Sequence, residues 1–558
     1  MKKIIYLLIL MILPAIDIYA DIKRYPLIDG IYYILQKNPY TGNQAYVAPE
    51  YYIMDKGTAY SFGHYSGNLV IPECVEYDGI TYEVVGISSG ALNGCSINML
   101  VVPETIKRIA YDLSGDESYN YNVMEFSIER LCISSWKWWN ELVIEGTDRG
   151  AYQNILSFAK HVMVNGEVYD MEDFKIPNEI THIRPYAFFK CSQIKRLTIP
   201  DYVKSIEASA FCGCEALEAI VIPDNVEQIG KNCFASCRSA KTLTMGDGLT
   251  VIPAGAFYDC GLEHITLGRN IKKMERDCFD SSSGRQTSVV ITNLAAWCEN
   301  FSSDSFSYKN TRFFFDNGTE ITDLIVPEEV NSIHERCFSR IESLKSVTLP
   351  NTVESIGKEA FRGCNKLQKV TMGDGIKSIG DYAFGPYIKT DFYGKEVTDG
   401  NSELQEIILG KALETIGEQA FNHCDALKKI VARNEEPWPF KEDAFPTMVY
   451  RNADLFIPNE CKELYSRLDG WRNFLKIYEQ EGTGVAIVDA GEPLQLKTML
   501  GGIIINTSKV GLLCKIYTLD GVLKYDSGLT KGDQRLSLPS AQTYIVKAGK
   551  QNLKVFVE

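Results

Sequence analysis

The chain has few of the residues on which most catalysis and nucleic-acid binding depend. Its six histidines are scattered, and 57 lysines and arginines are outnumbered by 72 aspartates and glutamates, for a formal net charge of −15. Phosphate backbones are bound by clustered basic side chains, so this balance argues against nucleic acid as a partner. Nucleophile-elbow, phosphate-loop, zinc-protease and calcium-loop motifs are missing as well. We therefore predict no catalytic residue, no metal and no cofactor.

Long apolar runs are missing beyond residue 20. Residues 1–20 have a basic start, an apolar stretch and a small final residue, Ala20, which is the pattern of a secretory signal peptide. Pro14 and Asp17 interrupt the stretch, and it falls short of the ~20 apolar residues that a membrane span needs. The sequence predicts a mature chain that is secreted or held at the cell surface, with no membrane-spanning segment.

What the chain does have is a repeat. A phenylalanine returns about every 23 residues, with two longer intervals, and a proline or glycine closes an apolar triplet at the same step. Self-similarity at this period is typical of a solenoid, in which each unit buries its apolar side chains only against its neighbours. The phenylalanines are Phe188, Phe211, Phe234, Phe257, Phe279, Phe338, Phe361, Phe384, Phe421 and Phe445.

One unit, residues 194–216, predicts the shape of a coil. The alternation in LTIP, at 197–200, indicates a half-buried strand that the proline ends, because proline cannot donate to a β-ladder. A second short strand is expected around Val203 and Ile206, followed by a tight turn that carries Phe211. The MGDG segments at 245–248 and 372–375 occupy the strand-ending position of their units, so we interpret them as turns rather than metal sites.

This pattern resembles the BspA-type leucine-rich repeat of bacterial surface and secreted proteins. It is found in IKRLTIPDYVKSIEASAFCGC, ALEAIVIPDNVEQIGKNCFASC and SLKSVTLPNTVESIGKEAFRGC, and the likeness extends from about residue 68 to 478. Longer excursions around 133–142 and 294–301 resemble the family's variant unit. The resemblance implies a mostly β fold, a right-handed leucine-rich-repeat solenoid of ~23-residue coils with parallel strands.

The two ends differ from the repeats. Residues 21–85 contain eleven tyrosines, and we interpret them as an N-terminal β cap on the solenoid at 86–478, with a tyrosine-rich contact surface as the alternative. Residues 479–492 have the composition of a linker, and 493–558 offer six short strand candidates that suit a small β-sandwich. That ending resembles the C-terminal sorting-type module of Bacteroidetes exported proteins, although AQT at 541–543 stands where the family usually has a glycine.

Sixteen cysteines in an exported chain suggest disulfides, but their spacing favours another reading. Stacked in register, their side chains run parallel, which leaves the Cβ atoms further apart than a disulfide prefers. We expect buried thiols that act as small hydrophobic residues. The cysteines that keep one position of the repeat are Cys191, Cys214, Cys237, Cys260, Cys364 and Cys424.

Candidate binding residues are sought where the repeat is interrupted. The outward strand positions of the regular units are mostly threonine with mixed charges, which is typical of a solvated sheet. The insertion at 385–401 carries Tyr387, Phe392 and Tyr393, and the excursion near residue 136 carries Trp138 and Trp139. Loops and insertions on a rigid scaffold commonly carry function, so these five are our candidate partner-binding residues.

The function predicted is that of a non-catalytic protein-binding or adhesion module, exported or at the cell surface. Its expected partner is a protein of a host or a neighbouring cell surface, as the family resemblance implies. Two alternatives stay open at this stage: carbohydrate binding in support of glycan use, and a structural spacer of the cell envelope that has no ligand.

Overall fold

Parallel strands stacked one coil upon the next are the main feature of the computed structural model. It describes residues 21–39, 42–55, 58–62, 65–88, 90–111, 120–121, 126–144, 154–279, 286–303, 306, 311–390, 396–399 and 403–480, and near the C-terminus 494–499, 502–507, 512–518, 523–529, 532–538, 542–548 and 551–557. The predicted signal peptide and most of the predicted linker lie outside the described residues.

Each coil contributes one strand to a first row of strands. Equivalent residues pair in register from coil to coil, as in Ile220–Leu243–Ile265, so the apolar positions of successive coils align. Beside this row, Glu167–Tyr169 pairs antiparallel with Ala159–Val164. The strands of the first row are Ser66–Val70, Ser96–Val101, Ser127–Ile133, Ala159–Val164, Asp173–Lys175, Arg196–Thr198, Ala219–Ile222, Thr242–Met245, His264–Thr266, Thr287–Ile291, Thr311–Phe315, Asp323–Ile325, Ser346–Thr348, Lys369–Thr371, Glu406–Leu409, Lys429–Ala432, Asp454–Pro458 and Lys476–Gln480.

A second row of shorter strands follows the prolines, as the repeat predicts. The expected strand near Val203 and Ile206 is present as Ser205–Ile206, which pairs in parallel with both neighbours. The members of the second row are Arg108–Tyr111, Val143–Ile144, His182–Ile183, Ser205–Ile206, Gln228–Ile229, Val251–Ile252, Lys273–Met274, Ser332–Ile333, Ser355–Ile356, Ser378–Ile379 and Thr415–Ile416.

The recurring phenylalanines form a stacked ladder inside the coils. Phe211 lies between Phe188 and Phe234 with both centroid distances at 5.2 Å and nearly parallel rings. The second run, from Phe338 to Phe445, stacks at 4.6–5.4 Å. Rings and flanking Ile and Leu side chains are buried, so the repeat predicted from the sequence is confirmed as the organiser of the core.

Strands before and beside the first coils form the N-terminal region. Two of its hairpins turn through an aspartate–glycine pair with positive φ at both residues, Asp29-Gly30 and Asp78-Gly79. Tyr33, Tyr65 and Tyr82 are buried, so these tyrosines pack in the core rather than form a contact surface. Its strands are Asp21–Arg24, Leu27–Ile28, Ile31–Asn38, Gly42–Val47, Tyr51–Asp55, Thr58–Phe62, Cys74–Tyr77, Ile80–Ser88 and Asn120–Tyr121.

Helices appear where the repeat is interrupted and at its end. Ser135 and Asn293 cap the helices Trp136–Glu141 and Leu294–Asn300 by accepting backbone hydrogen bonds in the first turn. The other helical segments are Ile155–Phe158, Glu442–Ala444, Thr447–Asn452, Lys462–Tyr465 and Trp471–Asn473. No helix in the described ranges has the length and hydrophobicity to cross a membrane.

The C-terminal module has one strand more than the sequence predicts. Seven strands form two antiparallel sheets, and Leu494–Met499 is the strand that was missed. Ile503 and Ile505 of one sheet and Ile516 and Val546 of the other are buried, so each sheet has one covered face, as in a β-sandwich. The other strands are Gly502–Thr507, Leu512–Thr518, Leu523–Leu529, Gly532–Ser537, Gln542–Ala548 and Gln551–Val557.

Candidate binding face

The two tryptophans proposed as partner-binding residues lie in the core, so that prediction is wrong. Trp138 and Trp139 are both buried. The Trp138 indole N–H donates to the carbonyl oxygens of Glu104 and Ile106 at 3.1 Å, and that of Trp139 to Ala187 at 2.9 Å. The buried face of the helix Trp136–Glu141 carries both tryptophans, so their indoles pack in the interior and are not available to a partner.

The insertion at 385–401 begins and ends as a β-hairpin. Tyr387–Thr390 pairs antiparallel with Glu396–Asp399, and the backbone of Tyr387 lies in the first of these strands. The other two candidates, Phe392 and Tyr393, lie outside the described residues. The insertion therefore stays a candidate whose aromatic side chains the structure does not test.

A partly buried ionic network holds the start of this hairpin. The Glu359 carboxylate accepts hydrogen bonds from Arg336 and Arg362 at 2.8 Å, and Arg362 also donates to the Pro386 carbonyl oxygen at 2.6 Å. Burial acts to raise the pKa of Glu359, but the two guanidinium hydrogen bonds outweigh it and hold that pKa below its usual value. The insertion thus emerges from a fixed point on the scaffold.

The outer face of the first row, turned away from the core, changes in character along the solenoid. In the central coils, its middle column runs in register through Val221, Thr244, Thr266 and Val290. Thr244 is exposed and Thr266 partly exposed, with charged and polar neighbours. The prediction of a solvated, threonine-rich sheet is confirmed at Thr244 and Thr266, whereas Val221 and Val290 make the column mixed.

In the last coils, the same column becomes apolar and then aromatic. Ile408, Val431, Phe456 and Tyr478 stand in consecutive register, and we call them the aromatic column. Exposure increases along it, from the buried Ile408 through the partly exposed Val431 and Phe456 to the exposed Tyr478. The Phe456 and Tyr478 rings stack with centroids 5.5 Å apart, so the column ends in an aromatic platform at the edge of the sheet.

A row of alternating charges runs beside the aromatic column. Lys369, Glu406, Lys429, Asp454 and Lys476 face the same side in consecutive register, and we call them the ionic column. The Glu406 carboxylate lies 3.1 Å from the Lys369 Nζ and 2.9 Å from the Lys429 Nζ, and the Lys476 Nζ lies 3.8 Å from Asp454. Burial acts to raise the pKa of Glu406, but the two lysines outweigh it and lower that pKa. Opposite charges directly across parallel strands stabilise the register of this region.

Phe456 and Tyr478 were not among the residues that the sequence singled out. The signal was present, since LFIP at 455–458 aligns with LTIP at 197–200 and puts Phe456 in the position of Thr198. Other aromatic residues of the same unit, Trp471 and Phe474, are buried and cover the last coil. Continuing the alternation of inward and outward residues into this unit identifies the aromatic platform.

A second apolar column lies on the outer face near the N-terminus. Val70, Val101, Cys132, Met163 and Val168 are in register, and Val70 and Val168 are largely exposed. These side chains are aliphatic or sulfur-containing, whereas binding hot spots are enriched in Trp, Tyr and Arg. Of the two columns, the one that ends in Phe456 and Tyr478 has the composition of a binding surface.

The recurring cysteines are free thiols, as their spacing predicts. The fifteen cysteines whose side chains the structure describes are unpaired, and the column lies in the core. Burial raises the pKa of Cys364 to about 12, so this thiol stays protonated and unreactive at neutral pH. In the central coils the S–H donates to the phenylalanine carbonyl of the preceding coil, with distances of 3.2 Å for Cys214–Phe188, 3.4 Å for Cys237–Phe211 and 3.0 Å for Cys260–Phe234.

The aspartates of the strand-ending turns bind neighbouring backbone groups. The Asp224 carboxylate accepts the Asp247 N–H at 2.9 Å, and the Asp247 carboxylate accepts the Arg269 N–H at 2.8 Å. A Cβ on Gly246 would lie 2.4 Å from the Asp224 nitrogen, so only glycine fits there. The interpretation of MGDG as a turn is confirmed, and no cluster of metal-binding side chains occurs within the described ranges.

Coils of this length with two rows of parallel strands and an internal phenylalanine ladder define a leucine-rich repeat protein. The sequence matches the BspA type leucine rich repeat region in six copies, over residues 167–285, 309–391 and 394–467. Over these segments the chain is a BspA-type leucine-rich repeat protein, and the resemblance seen in the sequence is confirmed. No curated protein matches the chain in sequence.

Several solved structures are similar to the chain. A leucine-rich repeat protein from Bacteroides ovatus is 20% identical, with 75% of this chain and 99% of that chain covered and a TM-score of 0.42. A leucine rich cell surface protein from Faecalibacterium prausnitzii is 18% identical, with coverage of 80% and 98% and a TM-score of 0.34. The pneumococcal vaccine antigen PcpA is 17% identical, with coverage of 82% and 100% and a TM-score of 0.29.

Proposed function

We propose that the protein is an exported, non-catalytic binding module that holds a partner protein on the outer face of its last coils. The observation that carries the proposal is the aromatic column beside the ionic column. An apolar strip with the exposed Tyr478 and the partly exposed Phe456 supplies contact area, and the charged row beside it supplies orientation.

The rigidity of this face supports a role in binding. The strands beneath it are fixed by the buried phenylalanine ladder, whose rings at Phe384, Phe421 and Phe445 stack 5.1 and 4.6 Å apart. The lysines of the ionic column are held by Glu406 and Asp454. Side chains already ordered before binding lose less entropy when a partner docks, which favours affinity.

Export and surface location complete the proposal. They are supported by the signal-peptide pattern of residues 1–20 and by the resemblance of the ending to a sorting-type module. The inserted hairpin at 385–401 is a second contact region in this proposal, because it emerges between strands Lys369–Thr371 and Glu406–Leu409 of the same sheet.

A binding screen tests the proposal. The mature chain, residues 21–558, is applied to arrays of purified extracellular-matrix proteins and of glycans, next to a variant that carries Phe456→Thr and Tyr478→Thr. We expect a saturable protein signal that the double variant lowers about tenfold or more, since central aromatic residues dominate interface energies. The matched control is Tyr258→Thr, which removes a tyrosine that is 46% exposed, as against 47% for Tyr478.

Other outcomes of the screen would reject the proposal. A glycan signal abolished by Tyr393→Ala would identify a carbohydrate-binding protein that uses the insertion. A protein signal lost on deletion of 385–401 but kept in the double variant would move the site to the hairpin. Absence of any saturable ligand would favour a structural spacer.

A further inference from the structure

Within the part of the chain that the structure describes, the last strand of the solenoid is paired on one side of its backbone only. Lys476–Gln480 is the terminal strand of a seven-stranded sheet, and within the described residues only Asp454–Pro458 pairs with it. Leu475 and Tyr478 are exposed at this edge. An unpaired strand edge is a template for a further strand, because its free N–H and C=O groups need partners.

The ionic column ends at this edge on the positive charge of Lys476, beside which a negative charge would be favourable. The signs alternate along Lys369, Glu406, Lys429, Asp454 and Lys476, so the column finishes on a cation. Glu406 has a lysine on each side. Among the described residues, Lys476 has a carboxylate only on the side of Asp454, where its Nζ also donates to the Asn452 carbonyl oxygen at 3.1 Å. A carboxylate in the next strand, opposite Lys476, would extend the alternation by one step.

The aromatic column favours an apolar residue in the added strand, two positions after the carboxylate that lies opposite Lys476. Tyr478 is stacked on Phe456 on one side, and its other side faces the open edge. Residues two apart in a strand point to the same face. If an added strand has an acidic residue opposite Lys476, the residue two positions later therefore lies opposite Tyr478. The residue between them points inward.

We propose, on the basis of the binding function above, that this edge captures an extended segment of a partner protein as an additional parallel strand. The segment has the order acidic residue, apolar residue, aromatic or β-branched residue. Backbone hydrogen bonds to Lys476–Gln480 supply affinity, and the acid opposite Lys476 and the apolar side chain opposite Tyr478 supply specificity. Within the solenoid, Asp454-Leu455-Phe456 has this order and pairs with the other side of Lys476–Gln480. Asp454 lies opposite Lys476 and Phe456 opposite Tyr478.

Peptide binding to the full mature chain tests the proposal. The probe is a fluorescein-labelled peptide NADLFIPN, which copies residues 452–459, and binding is followed by fluorescence polarisation. We expect the version with lysine in place of its aspartate to bind about fivefold more weakly, the scale of an exposed ion pair. The order-reversed peptide NPIFLDAN is also expected to bind more weakly, because its acid and its aromatic residue exchange places.

A charge exchange supplies the decisive comparison. Lys476→Glu is expected to weaken NADLFIPN about fivefold and to bind the lysine-bearing peptide more tightly than the unmodified chain does. The matched control is Lys377→Glu, since the Lys377 side chain is 50% exposed and paired with Glu354, and that of Lys476 is 47% exposed and paired with Asp454. The control should leave both affinities unchanged, and thermal melts should show that both variants fold.

Three results would overturn the proposal. If no peptide binds, the edge is closed in solution, for example by the chain's own C-terminal module. If NPIFLDAN binds more tightly than NADLFIPN, the added strand is not parallel. If sedimentation shows a dimer of the mature chain that Lys476→Glu dissociates, the occupant is a second copy. The proposed function and this inference can fail separately. If the Phe456→Thr, Tyr478→Thr variant loses array binding but the chain binds all the peptides equally, the proposed function stands and only this inference is rejected.

Discussion

The central and final coils of the solenoid are built alike inside and differ outside. Their interiors share the phenylalanine ladder and the same register of buried Ile, Leu and Val residues. Their outer faces differ, because Thr244 and Thr266 in the central coils correspond to Phe456 and Tyr478 in the final ones. Inward residues fix the fold, which leaves the outward residues free to carry a separate property.

The same comparison explains where a binding surface arises on a periodic molecule. The outward residue adds little to a strand that is already held by its neighbours, so it can change without loss of register. In the central coils that freedom gives a polar surface, and in the final coils it gives an exposed aromatic platform. Periodicity therefore marks the positions that are constrained by packing, and the variation between periods marks those that are not.

The largest effect on stability is expected from removing one ring of the phenylalanine ladder. Phe234→Ala deletes a fully buried ring that is stacked on Phe211 and Phe257. We expect a loss of about 3–5 kcal/mol in the free energy of unfolding, from lost transfer energy and the cavity that remains. Urea denaturation followed by circular dichroism measures it. A loss below that of a surface substitution would show that the ladder does not hold the coils together.

A smaller effect is expected at the ionic network beneath the insertion. Glu359→Gln removes a carboxylate whose side chain is 8% exposed, and we expect a loss of about 1–3 kcal/mol at neutral pH, because Arg336 and Arg362 lose their acceptor. The folded-state pKa of Glu359 lies below its ordinary value of 4.5, so its contribution is present above pH 4.5 and lost as the pH falls through the lowered pKa.

The free energy of unfolding, measured above and below pH 4.5, distinguishes the role of Glu359 in the network from the general effect of removing a negative charge. As the pH falls below 4.5, the free energy of unfolding should decrease less in Glu359→Gln than in the unmodified chain. The matched control, Glu354→Gln, removes an exposed carboxylate paired with Lys377, and its pH profile should follow that of the unmodified chain. Identical profiles for the two variants would contradict the assignment.

The smallest effect on stability is expected on the outer face itself. Tyr478→Thr gives the final coil the outward residue of a central one, and we expect the free energy of unfolding to change by no more than about 0.5 kcal/mol. The same denaturation experiment measures it, and the array experiment measures the loss of binding. A loss of several kcal/mol would mean that the aromatic platform is part of the core, and the contrast between coils would then fail.

The sequence predicted the coils well because packing repeats the same constraint many times. The positions of Phe211 and Ile206 each follow from a local pattern, and the structure confirms them. The helix Trp136–Glu141 was harder to predict, since six residues are too few to show helical periodicity. Its N-cap, Ser135, was the available signal.

The candidate site was predicted less well, for a physical reason. Trp138 and Trp139 are large aromatic residues in an irregular segment, and sequence alone does not show whether such a segment covers a core or faces solvent. Phe456 and Tyr478 lie in a segment whose other aromatic residues do cover the core, so their outward direction follows only from the strand register. Burial of a single side chain depends on which coil lies above it, and this is a tertiary property.

The insertion at 385–401 has a consequence for how this molecule can change. The paired strands step by 23 residues from Ser346 to Lys369 and by 37 from Lys369 to Glu406, yet the phenylalanine rings on either side stack at 5.2 and 5.1 Å. The solenoid therefore absorbs fourteen extra residues with no change in the pitch of its coils. Since lengthening a loop costs little, the junction after Gly385 is a point where segments of different length and specificity can be exchanged, by evolution or by grafting, while the coils stay as they are.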